Sequence, residues 1–160
     1  MLKMIAAMSE NNVIGKEGKI PRKMPGDLKR FRELIQDQIV AMGKGTFDSL
    51  QQYFPNSNGH PSAKENIILS TTLEKKDGLT IHRDIQKIID ADKDEDIRII
   101  WWQQIYEAFL KHADELYLTL IEGNYEGDAF FPEEYKDFFD EQSNEAGRDE
   151  WSRYIHYKKK

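Results

Sequence analysis

Short apolar runs alternate along this chain with segments of helical periodicity, and this alternation limits the possible folds more than any other feature. Apolar runs of about four to eight residues are typical of buried strands, whereas apolar residues spaced by three and four are typical of amphipathic helices. Strands are predicted at residues 2–8, 38–42, 66–70, 79–82, 97–102, 116–121 and 151–157. Helices are predicted at 26–35, 84–91 and 103–112, with a further short helix that Thr46 would cap and that contains Phe47 and Leu50.

This order of elements predicts an α/β fold. Strands that alternate with helices form mainly parallel sheets with helices on both faces. The last segments of the chain are rich in strands, which predicts an antiparallel edge at the C-terminus. Neither an internal repeat nor a domain linker is visible, so we expect a single domain over residues 1–160. Ligands of such sheets bind at the carboxyl ends of the strands.

The composition excludes several classes of function. The chain has no cysteine, which rules out disulfides, thiolate metal sites and a cysteine nucleophile and fits a reducing cytosol. No metal site is predicted. No apolar run reaches the length of a membrane span, and the N-terminus lacks a signal-peptide pattern. A net charge of −6 and a pI near 5.3 argue against nucleic-acid binding. We expect a cytoplasmic monomer that binds a small molecule, without a membrane or nucleic-acid partner.

Residues 20–35 carry the clearest chemical signal. Pro25 suits the first turn of a helix, and Asp27 falls in that turn, where the helix dipole favours a carboxylate. Leu28 and Phe31 belong to an apolar face beside it. A carboxylate in such surroundings could bind a cationic heterocycle or take part in proton transfer. It could equally be a residue that only starts the helix.

Basic residues dominate between Lys16 and Arg32, although the chain as a whole is acidic. A local basic region of this kind can receive an anionic small molecule. For Lys29, Arg30 and Arg32 we favour the simpler interpretation of a solvated helix face.

Several short motifs, taken in order, resemble dihydrofolate reductases of the bacterial type over nearly the whole chain. The earlier motifs are Ile5-Ala6-Ala7, Asn12-Val13-Ile14-Gly15, Pro21, Pro25-x-Asp27-Leu28-x-x-Phe31 and Met42-Gly43-x-x-Thr46 with Ser49. The later motifs are Asn66-Ile67-Ile68-Leu69-Ser70, Ile105-Tyr106, Leu116-Tyr117-Leu118-Thr119 and Glu126-Gly127-Asp128 before Phe131-Pro132. No single motif is decisive, but their order and spacing together are highly specific.

The resemblance implies an enzyme that transfers hydride from NADPH to the pterin ring of dihydrofolate. Asp27 matches the family's catalytic acid, which binds the ring nitrogen and amino group of the pterin and supports protonation of the imine nitrogen. Thr119 matches the hydroxyl that supports this carboxylate. The positions that match the family's substrate site are Ile5, Ala6, Asp27, Leu28, Phe31, Leu50, Lys64, Ile100, Tyr106 and Thr119.

An NADPH site is also implied by the resemblance. The positions that match it are Ala7, Ile14, Gly15, Gly43, Lys44, Gly45, Thr46, Ser70, Thr71, Trp101, Trp102 and Gln103. Among these, Lys44, Ser70 and Thr71 would bind the adenosine 2′-phosphate, as a cation and two hydroxyls should.

The chain departs from the family pattern at positions that lie near the substrate and the cofactor in the family. Trp101-Trp102 replace two glycines that are joined by a cis peptide in the family and let the cofactor approach the backbone. A cis bond between non-proline residues costs about 3–4 kcal/mol, and two indoles would occupy cofactor space. Arg22 replaces a tryptophan near the substrate, and Lys64 stands in for an arginine that clamps the folate's α-carboxylate. These departures predict impaired or altered NADPH binding.

Two interpretations of these departures stay open. The chain is either a divergent NADPH-dependent dihydrofolate reductase with a reshaped site, or a catalytically inactive or redesigned protein of the same fold that acts as a binding or scaffold module. In the second interpretation Trp101 and Trp102 fill a hydrophobic cleft as core residues. NADPH titration followed by a turnover assay with dihydrofolate separates the two.

Overall fold

Strands and helices alternate through most of the computed structural model, which describes residues 1–17, 24–91, 94–101 and 103–160. The strands, numbered in chain order, are β1 (Leu2–Ser9), β2 (Val13–Gly15), β3 (Ile39–Gly43), β4 (Glu65–Leu69), β5 (Thr80–His82), β6 (Ile97–Ile100), β7 (Glu115–Ile121), β8 (Ala129–Phe130), β9 (Phe139–Ala146) and β10 (Ser152–Lys159). The helices are α1 (Pro25–Ile35), α2 (Lys44–Tyr53), α3 (Ile85–Ala91), α4 (Gln103–Phe109) and α5 (Tyr135–Phe138).

Eight of these strands form one sheet, in the order β5-β4-β3-β6-β1-β7-β10-β9, while β2 and β8 pair separately. Every neighbouring pair from β5 to β7 is parallel. Strand β10 runs antiparallel to both β7 and β9. The predicted fold class, a mainly parallel sheet with an antiparallel C-terminal edge, is confirmed.

The two faces of the sheet bury separate hydrophobic clusters. Successive side chains of a strand point to opposite faces. Ile39 and Ala41 of β3 therefore join one cluster, and Val40 and Met42 join the other. The first cluster includes side chains of α3, α4 and α5, whereas the second includes side chains of α1 and α2. Helices thus cover both faces, as the sequence predicts.

The carboxyl ends of the parallel strands meet at one edge of the sheet. Strand β1 lies between β6 and β7, where Ile5 pairs with Ile100 and Ala7 pairs with Thr119. Trp101 follows the end of β6 directly. Because ligands of parallel sheets bind at this edge, we expect a binding site near these positions.

Several element boundaries differ from those predicted. The predicted strand over 97–102 ends at Ile100, and the predicted helix over 103–112 ends at Phe109. Thr46 does not cap α2, because the helix already begins at Lys44 and the buried Thr46 hydroxyl instead donates a hydrogen bond to the Trp101 carbonyl at 3.1 Å. Strand β9 has no counterpart in the prediction, since only Phe139 among its residues is buried.

Candidate active site

Asp27 is held at the carboxyl end of β7 by a hydrogen bond to that strand. It lies in the first turn of α1, and Thr119 Oγ1 donates to Asp27 Oδ1 at 2.5 Å. Burial raises the pKa of the Asp27 carboxyl, and the Thr119 hydrogen bond and the charge of Arg30 oppose that rise, whereas Asp149 adds to it. A half-buried carboxylate in this position can accept hydrogen bonds from a ligand and exchange a proton with it.

The space above Asp27, here called the Asp27 cavity, is small and mostly apolar. Its volume is about 20 Å³, which is roughly the room that one water molecule needs. Its lining residues are Ile5, Ala6, Ala7, Asp27, Leu28, Arg30, Phe31, Leu34, Trp101 and Thr119. Six of the predicted substrate positions are therefore brought together: Ile5, Ala6, Asp27, Leu28, Phe31 and Thr119.

Three other predicted substrate residues are buried and do not line the cavity. Leu50 and Ile100 are buried in the cluster that also contains Ile5. Tyr106 is fully buried, and its hydroxyl donates to the Ile5 carbonyl at 2.6 Å while accepting the Trp101 N–H at 3.0 Å. Burial raises the pKa of Tyr106, so the phenol stays neutral. The Tyr106 hydroxyl therefore joins the residue after β6 to the middle of β1.

Lys64, the predicted partner of the folate carboxylate, lies apart from the residues that line the Asp27 cavity. Its Nζ is 2.7 Å from Glu95 Oε1 in an exposed ion pair. The pKa of Lys64 is raised by this hydrogen bond and by the charge of Glu95. A ligand carboxylate at Lys64 would have to compete with Glu95.

Trp101 closes the cavity from the side of β6. Its ring stacks on Phe31, with 5.5 Å between ring centroids and 10° between ring planes. Its backbone φ is +22°, in the region that favours glycine. The indole predicted on the cofactor side therefore lies among residues predicted to bind substrate. Trp102 and Arg22, the other departures from the family pattern, lie outside the described residues.

A second and larger space, here called the groove, runs along the carboxyl ends of β3 and β4 and the start of α4. Its volume is about 1,100 Å³, at the upper end of typical cofactor sites. Its lining residues are Gly43, Lys44, Gly45, Leu69, Ser70, Thr71, Thr72, Arg83, Asp84, Ile85, Gln103, Gln104, Ile105, Glu107, Ala108 and Ala129. Six predicted cofactor residues lie here: Gly43, Lys44, Gly45, Ser70, Thr71 and Gln103.

The groove fits a phosphate-bearing nucleotide cofactor by its donor set. A Cβ added at Gly43 would lie 3.2 Å from Ile105 Cγ1, so this glycine lets the end of β3 approach α4 closely. Hydroxyls of Ser70 and Thr71 and the cation of Lys44 line the same space. The other predicted cofactor residues that the structure describes lie elsewhere: Ala7 and Trp101 in the Asp27 cavity, Ile14 and Gly15 buried in β2, and Thr46 buried in α2.

Two arginines in these spaces were missed by sequence reasoning. Arg83 follows β5, lines the groove, and donates from Nη1 to the Ser70 carbonyl at 2.8 Å. Its position directly after a predicted strand was the signal that could have found it. The solvated-face interpretation is wrong for Arg30, which is half-buried because it packs over the Tyr154 ring at 3.9 Å. Lys29 and Arg32 are exposed, as expected.

The described part of the chain lacks two further kinds of feature. Among its helices, none combines the length and apolar character that a membrane crossing requires. Within the same residues, no three histidine, aspartate or glutamate side chains group as metal ligands would.

The chain is similar to known dihydrofolate reductases over almost all of its length. The family model described as dihydrofolate reductase matches residues 1–159. The dihydrofolate reductase of Haemophilus influenzae is 33% identical over 156 residues, which covers 94% of this chain and 91% of that protein. The enzyme of Buchnera aphidicola is 37% identical over 133 residues, covering 82% and 79% respectively. A structure of dihydrofolate reductase from Enterococcus faecalis complexed with NADP(H) and RAB-propyl aligns with a TM-score of 0.86 at 27% identity, covering 99% of this chain and 96% of that one. The chain belongs to the dihydrofolate reductase family.

Proposed function

We propose that this chain reduces 7,8-dihydrofolate to tetrahydrofolate with NADPH, and that Asp27 binds the pterin and supports its protonation. The observation that carries the proposal is the Asp27–Thr119 pair at the carboxyl end of β7. The pair lies beside an apolar wall, and the groove with a nucleotide-binding donor set lies at the same edge of the sheet. Family membership supports the same reaction.

The substrate would place the donor edge of its pterin against the Asp27 carboxylate. A ring N–H and an exocyclic amino group match two carboxylate oxygens in a charge-assisted contact. Ile5, Ala6 and Phe31 supply apolar walls for the flat ring. Lys64 would meet the carboxylate end of the substrate after leaving Glu95.

NADPH would lie in the groove and supply the hydride. The backbone at Gly43 and Gly45 and the hydroxyls of Ser70 and Thr71 would hold its phosphates and ribose. Lys44 Nζ lies 2.7 Å from Asp48 Oδ2 and would be shared between that carboxylate and the 2′-phosphate. Arg83 provides a second cation on the same side.

Binding of the substrate would be impaired more than binding of the cofactor. The Asp27 cavity holds about 20 Å³, so a pterin can enter only when the Trp101 or Phe31 ring moves. The groove is wide by comparison, and Trp101 is not among its described lining residues. A non-catalytic binding or scaffold protein is the second candidate, favoured by this closed cavity.

The deciding experiment combines calorimetric NADPH titration with a turnover assay of the parent chain and the Asp27→Asn variant. We expect NADPH binding by both proteins. We expect Asp27→Asn to lower the rate near neutral pH by about 10²–10⁴-fold, and the loss to shrink at low pH, where solvent already protonates the substrate. The exposed Asp90 on α3 gives a matched control, Asp90→Asn, with the same chemical change at a residue that lines neither the Asp27 cavity nor the groove.

The outcomes separate the two candidates. Cooperative unfolding without NADPH binding or turnover would favour the scaffold protein. Turnover that Asp27→Asn leaves unchanged would contradict the role assigned to Asp27.

The proposed working form is a cytoplasmic monomer. The exposed edge strand β9 carries Asp140, Glu141 and Glu145, and charges of one sign disfavour strand pairing with a second copy. Sedimentation velocity should show one species near 18.8 kDa. A stable dimer would contradict the proposal.

A further inference from the structure

Arg30 lies on the same side of α1 as Asp27, three residues further along the helix. Its Nη1 donates to Thr119 Oγ1 at 3.3 Å, so it reaches the same hydroxyl that supports the Asp27 carboxylate. Its guanidinium also lies over an aromatic ring, with Cζ 3.9 Å from the centroid of Tyr154. The side chain is therefore packed between α1 and the sheet.

The sheet presents a row of three partners beneath this guanidinium. Thr119 of β7 pairs with Tyr154 of β10, which in turn pairs with Glu145 of β9. The row offers a hydroxyl, an aromatic face and a carboxylate in adjacent strands. Each of these is a favourable neighbour for an arginine, whose planar cation donates hydrogen bonds and stacks on rings.

The hydrogen bonds of Thr119 have a fixed direction because of Arg30. A guanidinium can only donate, and a threonine hydroxyl has one hydrogen of its own. When Arg30 Nη1 donates to Thr119 Oγ1, that oxygen acts as an acceptor and its hydrogen points elsewhere. At 2.5 Å, Asp27 Oδ1 receives it. The chain of donors thus runs Arg30 to Thr119 to Asp27, and it favours the ionised, accepting form of the carboxylate.

We propose that Arg30 is a positioning residue that acts through Thr119 to keep Asp27 ionised and oriented for the pterin. The catalytic part of this proposal rests on the proposed function. The effect of Arg30 on the ionisation of Asp27 is a property of the ligand-free protein. Charge as well as hydrogen-bond direction contributes, since a cation within a few ångströms favours a neighbouring anion.

Other polar groups also face Asp27 and must be held constant in any test. Thr119 approaches from β7, and Tyr106 of α4 lies near enough for the Asp27 charge to affect its pKa. Asp149, between β9 and β10, accepts the N–H groups of Gly26 and Asp27 at 3.3 and 3.2 Å. The neighbours of Arg30 itself are Tyr154, Glu145 and Arg148.

The first measurement is the titration of Asp27 in the ligand-free protein by carbon-13 carboxyl NMR, with Asp27→Asn used to assign the signal. We expect Arg30→Met to raise the proton affinity of Asp27 about tenfold, because the nearby cation and donor are lost. Arg30→Lys should have a smaller effect, because it keeps the charge. Lys29→Met is the matched control, since it removes an exposed cation from the same helix.

Equal titrations of Asp27 in Arg30→Met and Lys29→Met would overturn the proposal. If Arg30→Met fails to fold, Arg30→Gln carries the test, since it keeps a donor but lacks the charge, and it should raise the proton affinity in the same direction. An unchanged titration in a folded Arg30→Gln would equally overturn it. These readouts need no turnover, so failure of the reductase assay leaves them interpretable.

The second measurement tests whether Arg30 acts on Asp27 through Thr119. In a Thr119→Val background the relay is absent, so Arg30→Met should change the Asp27 titration less than in the parent. In Arg30→Met, the pH profile of kcat/KM should shift in the same direction as the titration of Asp27. An undiminished effect in the Thr119→Val background would show that Thr119 is not the intermediary.

Discussion

At the scale of single residues, Trp101 combines a bulky side chain with a backbone conformation that favours glycine. Its φ is +22°, a glycine-like value, although the residue is tryptophan. A bulky residue in this region carries strain of about 1–3 kcal/mol. The stack on Phe31, worth about 0.5–1.5 kcal/mol beyond buried area, offsets part of it.

Trp101→Gly should therefore open the Asp27 cavity and relieve the backbone strain. We expect affinity for folate to rise about tenfold, a gain of about 1.4 kcal/mol, and NADPH affinity to change less, since the groove has other lining residues. Calorimetry with each ligand measures both effects without relying on tryptophan fluorescence. Trp101→Phe is the control, because it keeps an aromatic ring and the backbone strain. Folate affinity that stays the same or falls in Trp101→Gly would show that the indole is not an obstruction.

At the scale of elements, helix α1, which carries Asp27, is held at its start by the turn between β9 and β10. Met24 at the N-cap provides no side-chain hydrogen bond. The Asp149 carboxylate replaces that cap by accepting the N–H groups of Gly26 and Asp27. A Cβ at Gly26 would lie 2.7 Å from Arg148 Cβ, so the close approach requires glycine. Arg148 also bonds Glu33 at 2.6 Å.

Asp149→Ala should have two effects that Asp149→Asn separates. Loss of the cap should lower the free energy of unfolding by about 1 kcal/mol, measured by urea denaturation. Loss of the negative charge should lower the proton affinity of Asp27, opposite in sign to the effect of Arg30→Met. Asp149→Asn keeps one of the two accepting oxygens, so it should keep part of the stability but still change the titration. The control is Glu150→Ala at the exposed neighbouring residue. A rise in Asp27 proton affinity in Asp149→Asn would contradict this account.

At the scale of the whole molecule, the sequence predicted what local patterns determine. Buried parallel strands read as continuous apolar runs, and so the sheet and its order of elements were predictable. Strand β9 was not predictable, because nearly all of its residues are exposed and lack an apolar pattern. It forms through its pairing with β10, which is a tertiary contact. Asp27 was singled out by its place at a helix start beside an apolar face, and Thr119 was predicted as its partner through the family motifs. Arg30 was missed because its partner Tyr154 lies over a hundred residues away in sequence.

The opposite edge of the sheet carries a polar cluster with no part in the proposed reaction. Glu115 begins β7 and is buried, while Thr119 of the site lies further along the same strand. Tyr117 Oη donates to Glu115 Oε2 at 2.9 Å, and His156 Nε2 lies 3.0 Å from the same oxygen. The rings of Tyr117 and His156 stack at 4.7 Å. The cluster joins β7 to the antiparallel strand β10.

Stability should depend on pH through Glu115. Burial acts to raise the pKa of this carboxyl, but hydrogen bonds from Tyr117 and His156 and the charge of Lys3 together hold the pKa below its ordinary value of 4.5. A lowered pKa in the folded state means that the ionised form stabilises the fold above about pH 4.5, and that this contribution is lost as the pH falls through the folded-state pKa.

Glu115→Gln should therefore lower the free energy of unfolding near neutral pH by about 2 kcal/mol, the range for hydrogen bonds to a charged group. The difference between parent and variant should narrow as the pH falls below 4.5, because the parent then loses the same charge. Urea denaturation from pH 3 to pH 8 measures both curves, and Glu74→Gln at an exposed loop position should follow the parent throughout. Since Glu115 lies at the edge away from Asp27, turnover per folded molecule should stay unchanged. A difference that grows toward low pH would show that the ionised carboxylate does not stabilise the fold.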